Sequence, residues 1–388
     1  MTELPRAATP RDGASPRGEG ASAPWPWWAP RFWHGMTFGT WTSLASEHRW
    51  RASPSRWGLI ATITAASGFN SLAARICEAT YRRQILSPPE TPPPLFIIGH
   101  WRSGTTLLHE LMMLDERFCC PNYYQCYTPS HFLLTERVLT PALSWILPAK
   151  RPMDDMAVSF DKPQEDEFAL MNLGAASPYR RMAFPVTSSL HPEALDLTTL
   201  PATELDRWRR LMRRFLATLA VADPRRPVLK SPPHTARVGV LAEMFPGARF
   251  LHVVRDPFAV FGSTMKLWRS LDESQGLQVA REERLEEYVF ECFEQMYDAF
   301  ERDRVTLSPE RLHEVRYEDL VTDPVGQLER AYDRLDLGGF SGVREAIASE
   351  AAARKSYRVG SYRHDPRLVA QIASRWRPFI DRYGYAVP

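Results

Sequence analysis

A glycine-containing turn holds the residues whose types and spacing are most informative about chemistry. From Gly99 the chain reads G-x-x-x-x-G-T-T, directly after the apolar run Leu95–Ile98. Gly104 can bring its backbone close to an anion, and the N–H groups of Thr105 and Thr106 open a helix whose dipole favours negative charge. The pattern predicts a phosphate-binding turn between a buried strand and a helix.

The same turn lacks the lysine of a nucleoside-triphosphate-binding loop, because Thr105 stands at that position. Such a loop uses its lysine because a triphosphate concentrates more charge than backbone donors alone can hold. Arg102 supplies the cation here, and its guanidinium can engage the oxygens of a less highly charged donor without a metal ion. An ordinary strand-to-helix turn is the alternative. The residues expected to contact a donor are Arg102, Ser103, Gly104, Thr105 and Thr106.

A second strand end carries another arginine. In the segment 249–263 an apolar run ends before Arg255, Asp256 is a natural N-cap, and Pro257 suits the first helical position. Ser263 follows Arg255 by eight residues. That spacing is about two helical turns, so its hydroxyl can return to the side of the arginine. An Arg-Asp-Pro after a strand is also a common capping or salt-bridge feature.

Two further strand ends present a lysine and a tyrosine. Lys230 ends a short strand and precedes prolines that prevent an immediate helix, in a chain with only five lysines among 48 basic residues. It could equally be a surface lysine at the end of an edge strand. Tyr317 follows the brief strand that begins near Leu312. Its ring could stack on a purine, or it could pack against the sheet and bond a backbone carbonyl.

These strand ends together predict the fold. Ligands of open parallel sheets bind outside the carboxyl ends of the strands, so Arg102, Lys230, Arg255 and Tyr317 should converge on one crevice. We therefore expect an α/β protein: a three-layer sandwich with a central, mainly parallel sheet and a P-loop-like phosphate-binding turn, preceded by an N-terminal helical extension.

From Leu95 to Asp323 these motifs resemble sulfotransferases that use 3′-phosphoadenosine 5′-phosphosulfate (PAPS) as donor. The resemblance implies that the loop at Arg102 holds the 5′-phosphosulfate, and that Arg255 and Ser263 grip the 3′-phosphate. It further implies roles for three other segments, with Lys230 beside the transferring sulfuryl group, Tyr317 near the adenine, and the basic stretch ending at Arg358 in a loop over the donor. A solvated basic loop is the alternative for that stretch.

The resemblance implies in-line transfer of a sulfuryl group from PAPS to a hydroxyl or amine of a small-molecule, lipid or glycan acceptor, without a metal. The acceptor also needs a general base. Relatives often have a glutamate after the phosphate loop, whereas this chain has Gln125 in that area, which cannot usefully accept a proton. Glu165, at the start of a predicted helix, is the preferred substitute, and His131 is the other. The carboxylates near Glu165 could instead only complement the helix dipole.

Two other classes of function compete with this interpretation. The first is a P-loop-type nucleotide kinase, which is disfavoured by Thr105 in place of lysine and by the lack of an apolar run ending in a Walker-B aspartate. The second is a catalytically inactive, membrane-peripheral protein that retains a nucleotide-binding fold. It is motivated by Gln125 and by the tryptophans and arginines near the N-terminus.

Composition narrows the class of protein. The 388 residues are 44% hydrophobic and 24% charged, enough for a substantial core. A net charge of +2 is too balanced for a nucleic-acid binder that relies on counterion release. Five cysteines show neither metal-ligand spacing nor a disulfide framework, which favours a reducing compartment. We expect a cytoplasmic protein with no metal site and no nucleic-acid partner.

Three regions are expected along the chain: a disordered tail at 1–24, a helical extension at 25–94, and a sulfotransferase domain at 95–388. The tail lacks the apolar core of a secretory signal. Seven of the 12 tryptophans lie between Trp25 and Trp57, interleaved with arginines. They suit peripheral contact with a membrane or an amphiphilic acceptor, or else they pack on the catalytic core. Trp57–Ala74 carries no charge but is too polar to span a membrane, so we expect a buried helix.

Overall fold

A five-stranded sheet lies at the centre of the molecule. The structure is a computed structural model that describes residues 25–26, 28–143, 145, 147, 159–189, 192, 194–279, 284–354 and 365–388. The strands run in the spatial order β2-β3-β1-β4-β5, and every neighbouring pair is parallel. The strands are β1 Leu95–Ile98, β2 Phe118–Cys119, β3 Arg226–Lys230, β4 Arg249–Val254 and β5 Leu312–Arg316.

Helices cover both faces of this sheet. In chain order they are α1 Phe38–Glu47, α2 Trp57–Leu86, α3 Thr105–Met112, α4 Tyr123–Tyr127, α5 Phe132–Leu143, α6 Asp166–Asn172, α7 Ala202–Ala222, α8 Val238–Met244, α9 Pro257–Gln275, α10 Leu285–Arg304, α11 Tyr317–Thr322, α12 Pro324–Arg334, α13 Phe340–Ala353, α14 Pro366–Arg375 and α15 Arg377–Tyr383. The expected three-layer α/β sandwich with a parallel central sheet is confirmed.

The continuous apolar run of β1 follows from burial on both faces. Phe96 and Ile98 point into the larger hydrophobic core, whereas Leu95 and Ile97 point into the smaller one. Successive side chains of a strand face opposite ways, so a strand covered on both sides must be apolar at every position. The smaller core is completed by α3, α11, α12 and α13, and the larger one by the remaining layer of helices.

The N-terminal extension belongs to the larger core. Trp33 and Trp41 are wholly buried in it, together with Ile60 and Ile63 of α2. Arg31 is also buried, and its guanidinium donates to the backbone carbonyl oxygen of Ala29 at 2.6 Å. Much of this tryptophan- and arginine-containing segment therefore packs on the protein itself.

Helix α2 departs from the expected buried helix. Ser67 and Asn70 are buried, whereas Phe69 and Leu72 are 52% and 59% exposed. The polar residues face inward because the Asn70 side chain donates to the carbonyl oxygens of His34 and Met36. Only one side of this helix meets the rest of the protein, so its charge-free sequence does not mean burial. Within the part of the chain described, no helix combines the length and apolarity needed to cross a membrane.

Candidate active site

The carboxyl ends of four adjacent strands carry the polar residues singled out from the sequence. Along the order β3-β1-β4-β5 they are Lys230, the loop at Arg102, Arg255 and Tyr317. In the strand register Lys230 lies opposite Ile97, one residue before the end of β1. Neighbouring strands are about 4.8 Å apart, so the four groups span roughly 14 Å of one sheet edge.

The loop between β1 and α3 has a backbone that its glycines make possible. Gly99 and Gly104 have φ angles of 143° and 104°, and a Cβ atom at Gly104 would collide with the ring of Tyr317. Arg102 itself has a φ of 67°, which is uncommon for a residue with a side chain. Strain of this kind persists only where the surroundings enforce it, and it is concentrated at functional sites.

Arg102, Arg255 and Ser263 meet at this loop. The Nε of Arg102 donates to Ser263 Oγ at 2.8 Å, and a terminal nitrogen of Arg255 donates to the Arg102 carbonyl oxygen at 2.8 Å. The Arg255 guanidinium also lies 4.4 Å from the centre of the Tyr317 ring. Tyr317 is thus packed between Gly104 and Arg255, where it supports the loop. Its contact with an adenine remains a prediction.

The loop offers polar groups to an anion. Ser103 is wholly buried, and its Oγ has no hydrogen-bond partner among the described residues. Thr105 is buried and Thr106 half-buried at the first positions of α3, where backbone N–H groups have no acceptor within the helix. An anionic oxygen would satisfy these donors, with the helix dipole favouring its charge.

Lys230 and Glu165 form a buried ion pair beside the loop. The Lys230 Nζ is 2.7 Å from Glu165 Oε1, and their side chains are only 7% and 17% exposed. The Tyr179 hydroxyl donates to the other carboxylate oxygen, Oε2, at 2.5 Å and accepts from Trp101 Nε1 at 2.9 Å. Burial and then the neighbouring Glu165 charge raise the pKa of Tyr179 well above its ordinary value. The phenol therefore stays protonated and acts as a donor.

The two carboxylates after Glu165 hold the segment that follows Lys230. Asp166 accepts from Ser231 Oγ at 2.8 Å and pairs with His234 at 2.6 Å, and Glu167 binds Arg237 with both carboxylate oxygens. Burial opposes ionisation of Asp166, but His234 and Ser231 outweigh it and lower its pKa. Buried charges need partners of this kind, so these carboxylates do more than complement a helix dipole.

His109 of α3 is a neutral neighbour of the ion pair. It is buried, and burial followed by the positive charge of Lys230 lowers its pKa to about 3. Sequence reasoning assigned no site role to this histidine or to Tyr179. Tyr179 lies in a short 3-10 turn, Pro178–Ala183, and no motif marks it. The pairing of Asp166 and Glu167 was visible in the sequence, where three consecutive acidic residues could be matched with a histidine and an arginine three residues apart, His234 and Arg237.

The structure does not bring His131 to this cluster. Its ring nitrogens contact Thr135 Oγ1 at 2.8 Å and Asn70 Oδ1 at 3.2 Å, between α5 and α2. Burial lowers its pKa to about 4, so it serves as a neutral packing residue. Gln125 caps its own helix by accepting from the Asn122 amide. We therefore keep Glu165 as the candidate base and give up His131.

Two remaining expectations concern Arg358 and metals. Arg358 lies outside the described residues, so its position over a donor stays a prediction. Among the residues whose positions are described, no three histidine, cysteine or acidic side chains are grouped in a way that could hold a metal ion.

Comparison with known proteins places this arrangement in a family. A sequence profile of the sulfotransferase family matches residues 93–341. Two curated relatives, from Mycobacterium bovis (strain ATCC BAA-935 / AF2122/97) and Mycobacterium tuberculosis (strain CDC 1551 / Oshkosh), are each 37% identical over 361 residues. The match covers 93% of this chain and 93% of each relative. Both relatives are named omega-hydroxy-beta-dihydromenaquinone-9 sulfotransferase Stf3.

Solved structures show the same fold. The sulfotransferase STF9 from Mycobacterium avium superposes with a TM-score of 0.61 at 19% identity, over 90% of this chain and 96% of that one. STF1 from Mycobacterium tuberculosis H37Rv gives 0.51 at 16% identity, over 89% and 88%. Because the family profile covers more than half of the sequence and the curated relatives match nearly all of it, this chain belongs to the sulfotransferase family and is a sulfotransferase.

Proposed function

We propose that this enzyme transfers the sulfuryl group of PAPS to a hydroxyl of a lipid-like acceptor. The lipid-like hydroxyl is our choice within a broader class of acceptors, which also includes the hydroxyls of small molecules and glycans, and amines. The observation that carries the proposal is the buried pair of Lys230 and Glu165 at the sheet edge, next to a phosphate-type loop. One residue can stabilise a leaving oxygen and the other can accept a proton.

The loop suits the donor as well as the family resemblance suggests. The buried Ser103 Oγ without a partner and the start of α3 fit the 5′-phosphosulfate oxygens, with Arg102 as their cation. Arg255 and Ser263 are joined through Arg102 and are assigned to the 3′-phosphate. A bisphosphate held at both ends by arginines and main-chain amides does not require a divalent ion.

The ion pair then has two tasks. Bound there, PAPS would supply a sulfuryl group whose bond to the 5′-phosphate oxygen breaks as the acceptor oxygen bonds to sulfur. Lys230 would donate to the oxygen on which charge builds, and Arg102 would neutralise the remaining sulfuryl oxygens. Glu165 would take the acceptor's hydroxyl proton through the oxygen that Lys230 leaves when it turns to the donor. Tyr179 holds the other oxygen and keeps the carboxylate oriented.

The choice of a lipid-like acceptor rests on aromatic side chains beside the base. Phe168 lies one turn after Glu165, 4.8 Å from the Tyr179 ring, and stacks on Phe32 of the N-terminal extension at 4.0 Å. Such a surface suits an apolar acceptor with one reactive polar end. The names of the curated relatives describe a sulfotransferase acting on a hydroxylated menaquinone derivative, which supports the same class.

Thermal unfolding tests the donor. We expect 3′-phosphoadenosine 5′-phosphate to stabilise the protein, because a ligand at about a hundred times its Kd adds ~2.7 kcal/mol to the free energy of unfolding. No stabilisation by this ligand would refute PAPS as the donor.

Turnover of two variants tests the assigned residues. Lys230→Ala and Arg102→Ala should each lower kcat by about a hundredfold or more, since each removes a cation from the developing charge. Lys162→Ala, a change at an exposed lysine, is the matched control and should retain activity. Normal turnover by both site variants would refute their roles.

A further inference from the structure

The side of α2 that faces away from the protein is apolar over most of its length. Trp57, Phe69, Leu72 and Ile76 are each between 46% and 59% exposed there. With the small exposed residues Gly58, Ala61, Ala65 and Gly68 they form the outer face of α2. The twenty residues from Trp57 to Ile76 make a stripe about 30 Å long. A soluble protein rarely leaves an apolar stripe of this length uncovered.

Charge on this helix is confined to one end and is mainly positive. Arg75, Arg82 and Arg83 are exposed, and they lie at or beyond the last part of the apolar stripe. The helix has one carboxylate, Glu78, which is paired with Arg214 of α7. The outer face thus combines an apolar stripe with cationic residues that have no acidic partner in the described part of the chain, which is the complement of an anionic lipid surface.

Neighbouring elements extend the same surface. The Phe38 amide donates to Ser71 Oγ, so the 48% exposed Phe38 lies beside α2. Helix α5, which packs on α2, exposes 70% of Val138. Of the thirteen large apolar side chains exposed in the described part of the chain, nine lie between residues 28 and 145. Seven of the thirteen belong to α2 or to α1 and α5, which pack on it.

The sequence argues against the N-terminal tail as the cover of this surface. Residues 1–24 contain Met1 and Leu4 as their only large apolar side chains, and the rest are small, charged or proline. Such a segment cannot bury a stripe of about 30 Å. A bilayer can, because a helix of this kind lies in the interfacial plane with its apolar side among the acyl chains.

We propose that the outer face of α2 docks the enzyme on an anionic phospholipid bilayer, with Arg75, Arg82 and Arg83 at the headgroups. The docking helix is linked directly to the acceptor side of the site. Asn70 binds the turn that ends at Met36, and Phe32 of that turn stacks on Phe168 next to Glu165. That a docked enzyme takes its acceptor from the bilayer rests on the proposed function, whereas the docking itself does not.

Vesicle co-sedimentation of the full chain tests the proposal. We expect binding to vesicles containing phosphatidylglycerol and much weaker binding to pure phosphatidylcholine. Leu72→Glu combined with Ile76→Glu should lower the partition coefficient by about tenfold or more. Arg82→Ala and Arg83→Ala should each lower it by about fivefold. The matched control is Val305→Glu, which alters a 79% exposed valine after α10 and should bind like the parent protein.

Two outcomes would overturn the proposal. One is equal sedimentation of the parent and the double-glutamate variant with anionic vesicles. The other is a dimer in sedimentation velocity that the double-glutamate variant dissociates, which would assign the face to a second copy of the chain. Unchanged unfolding temperatures confirm that the variants fold. Stabilisation by 3′-phosphoadenosine 5′-phosphate, measured in parallel, separates failure of docking from failure of the proposed function.

Discussion

The Glu165 carboxylate is bound at both oxygens, by Lys230 on one and Tyr179 on the other. We propose Glu165 as the base, and a base held in this way has one orientation when the acceptor arrives. Orientation contributes much of the rate in transfer reactions. Tyr179 touches neither donor nor acceptor in our proposal, so it is a positioning residue.

Tyr179→Phe should lower kcat about tenfold and move the acidic limb of the pH–rate profile to higher pH. The ionised carboxylate would lose a donor, while the ring would still pack against Phe168 and Trp101. The KM for PAPS should stay unchanged. Steady-state kinetics from about pH 5 to 8 measures all three quantities.

Tyr332→Phe is the matched control for this change. It removes a buried tyrosine–carboxylate hydrogen bond of 2.9 Å, to Asp115, in the smaller core. We expect it to lower stability without altering the pH profile. An unshifted profile in Tyr179→Phe would contradict the positioning role.

The residues that could be predicted from the sequence are those at strand ends. Lys230, Arg255 and the loop at Arg102 come directly after apolar runs in a parallel sheet, so topology alone brings them to one edge. Tyr179 could not be found in this way, because it reaches Glu165 from an irregular segment. The contacts of His131 with Thr135 and Asn70 could not be predicted either, because residue type says nothing about which neighbour a loop histidine meets.

The loop between β1 and α3 requires a residue without a side chain at Gly104. Gly104 has a positive φ and would place a Cβ into the Tyr317 ring. Gly104→Ala should therefore raise the KM for PAPS severalfold and lower the free energy of unfolding by about 1–3 kcal/mol. Donor titration and chemical denaturation measure the two effects.

Gly338→Ala separates the two causes of this loss. Gly338 also has a positive φ, of 63°, but nothing lies within 4 Å of the Cβ that would be added. Gly338→Ala should therefore lower the free energy of unfolding only through backbone strain, and it should leave donor binding intact. Equal losses in both variants would mean that the contact with Tyr317 is unimportant.

The elements were predictable where periodicity and burial agree. The apolar run of β1 and the helix after it were expected and are present, whereas α2 was expected to be buried and instead exposes Phe69 and Leu72. A helix without charged residues is fully buried only if other segments cover all of its sides. Which sides are covered depends on the packing of distant segments, and no local pattern records it.

For the whole molecule, buried histidines govern stability at mildly acidic pH. Burial lowers the pKa of His100 and His131 to about 4 and, with help from Lys230, that of His109 to about 3. In the unfolded chain the pKa of a histidine is about 6.5. The unfolded state therefore binds more protons below that pH, and stability should fall as the pH drops from about 6.5 towards 4.

Chemical denaturation at about pH 7.5, 6.0 and 5.0 tests this expectation. Each of the three histidines contributes up to about 1.4 kcal/mol per pH unit within the window. His131→Gln should flatten the dependence by one such share. A free energy of unfolding that stays constant over this pH range would show that these side chains are not held neutral. Most carboxylates titrate below this range, so their contribution is small there.

Finally, Trp33, Trp41 and Ile60 share one hydrophobic interior with Phe96 of the central sheet, although the family profile begins only at residue 93. An enzyme truncated near that residue would expose a wide apolar surface on the helices over the sheet, where the missing tryptophans had packed. We expect such a truncation to aggregate rather than yield a minimal working transferase. The bounds of a family profile and the limits of an independently folding unit thus differ in this polypeptide.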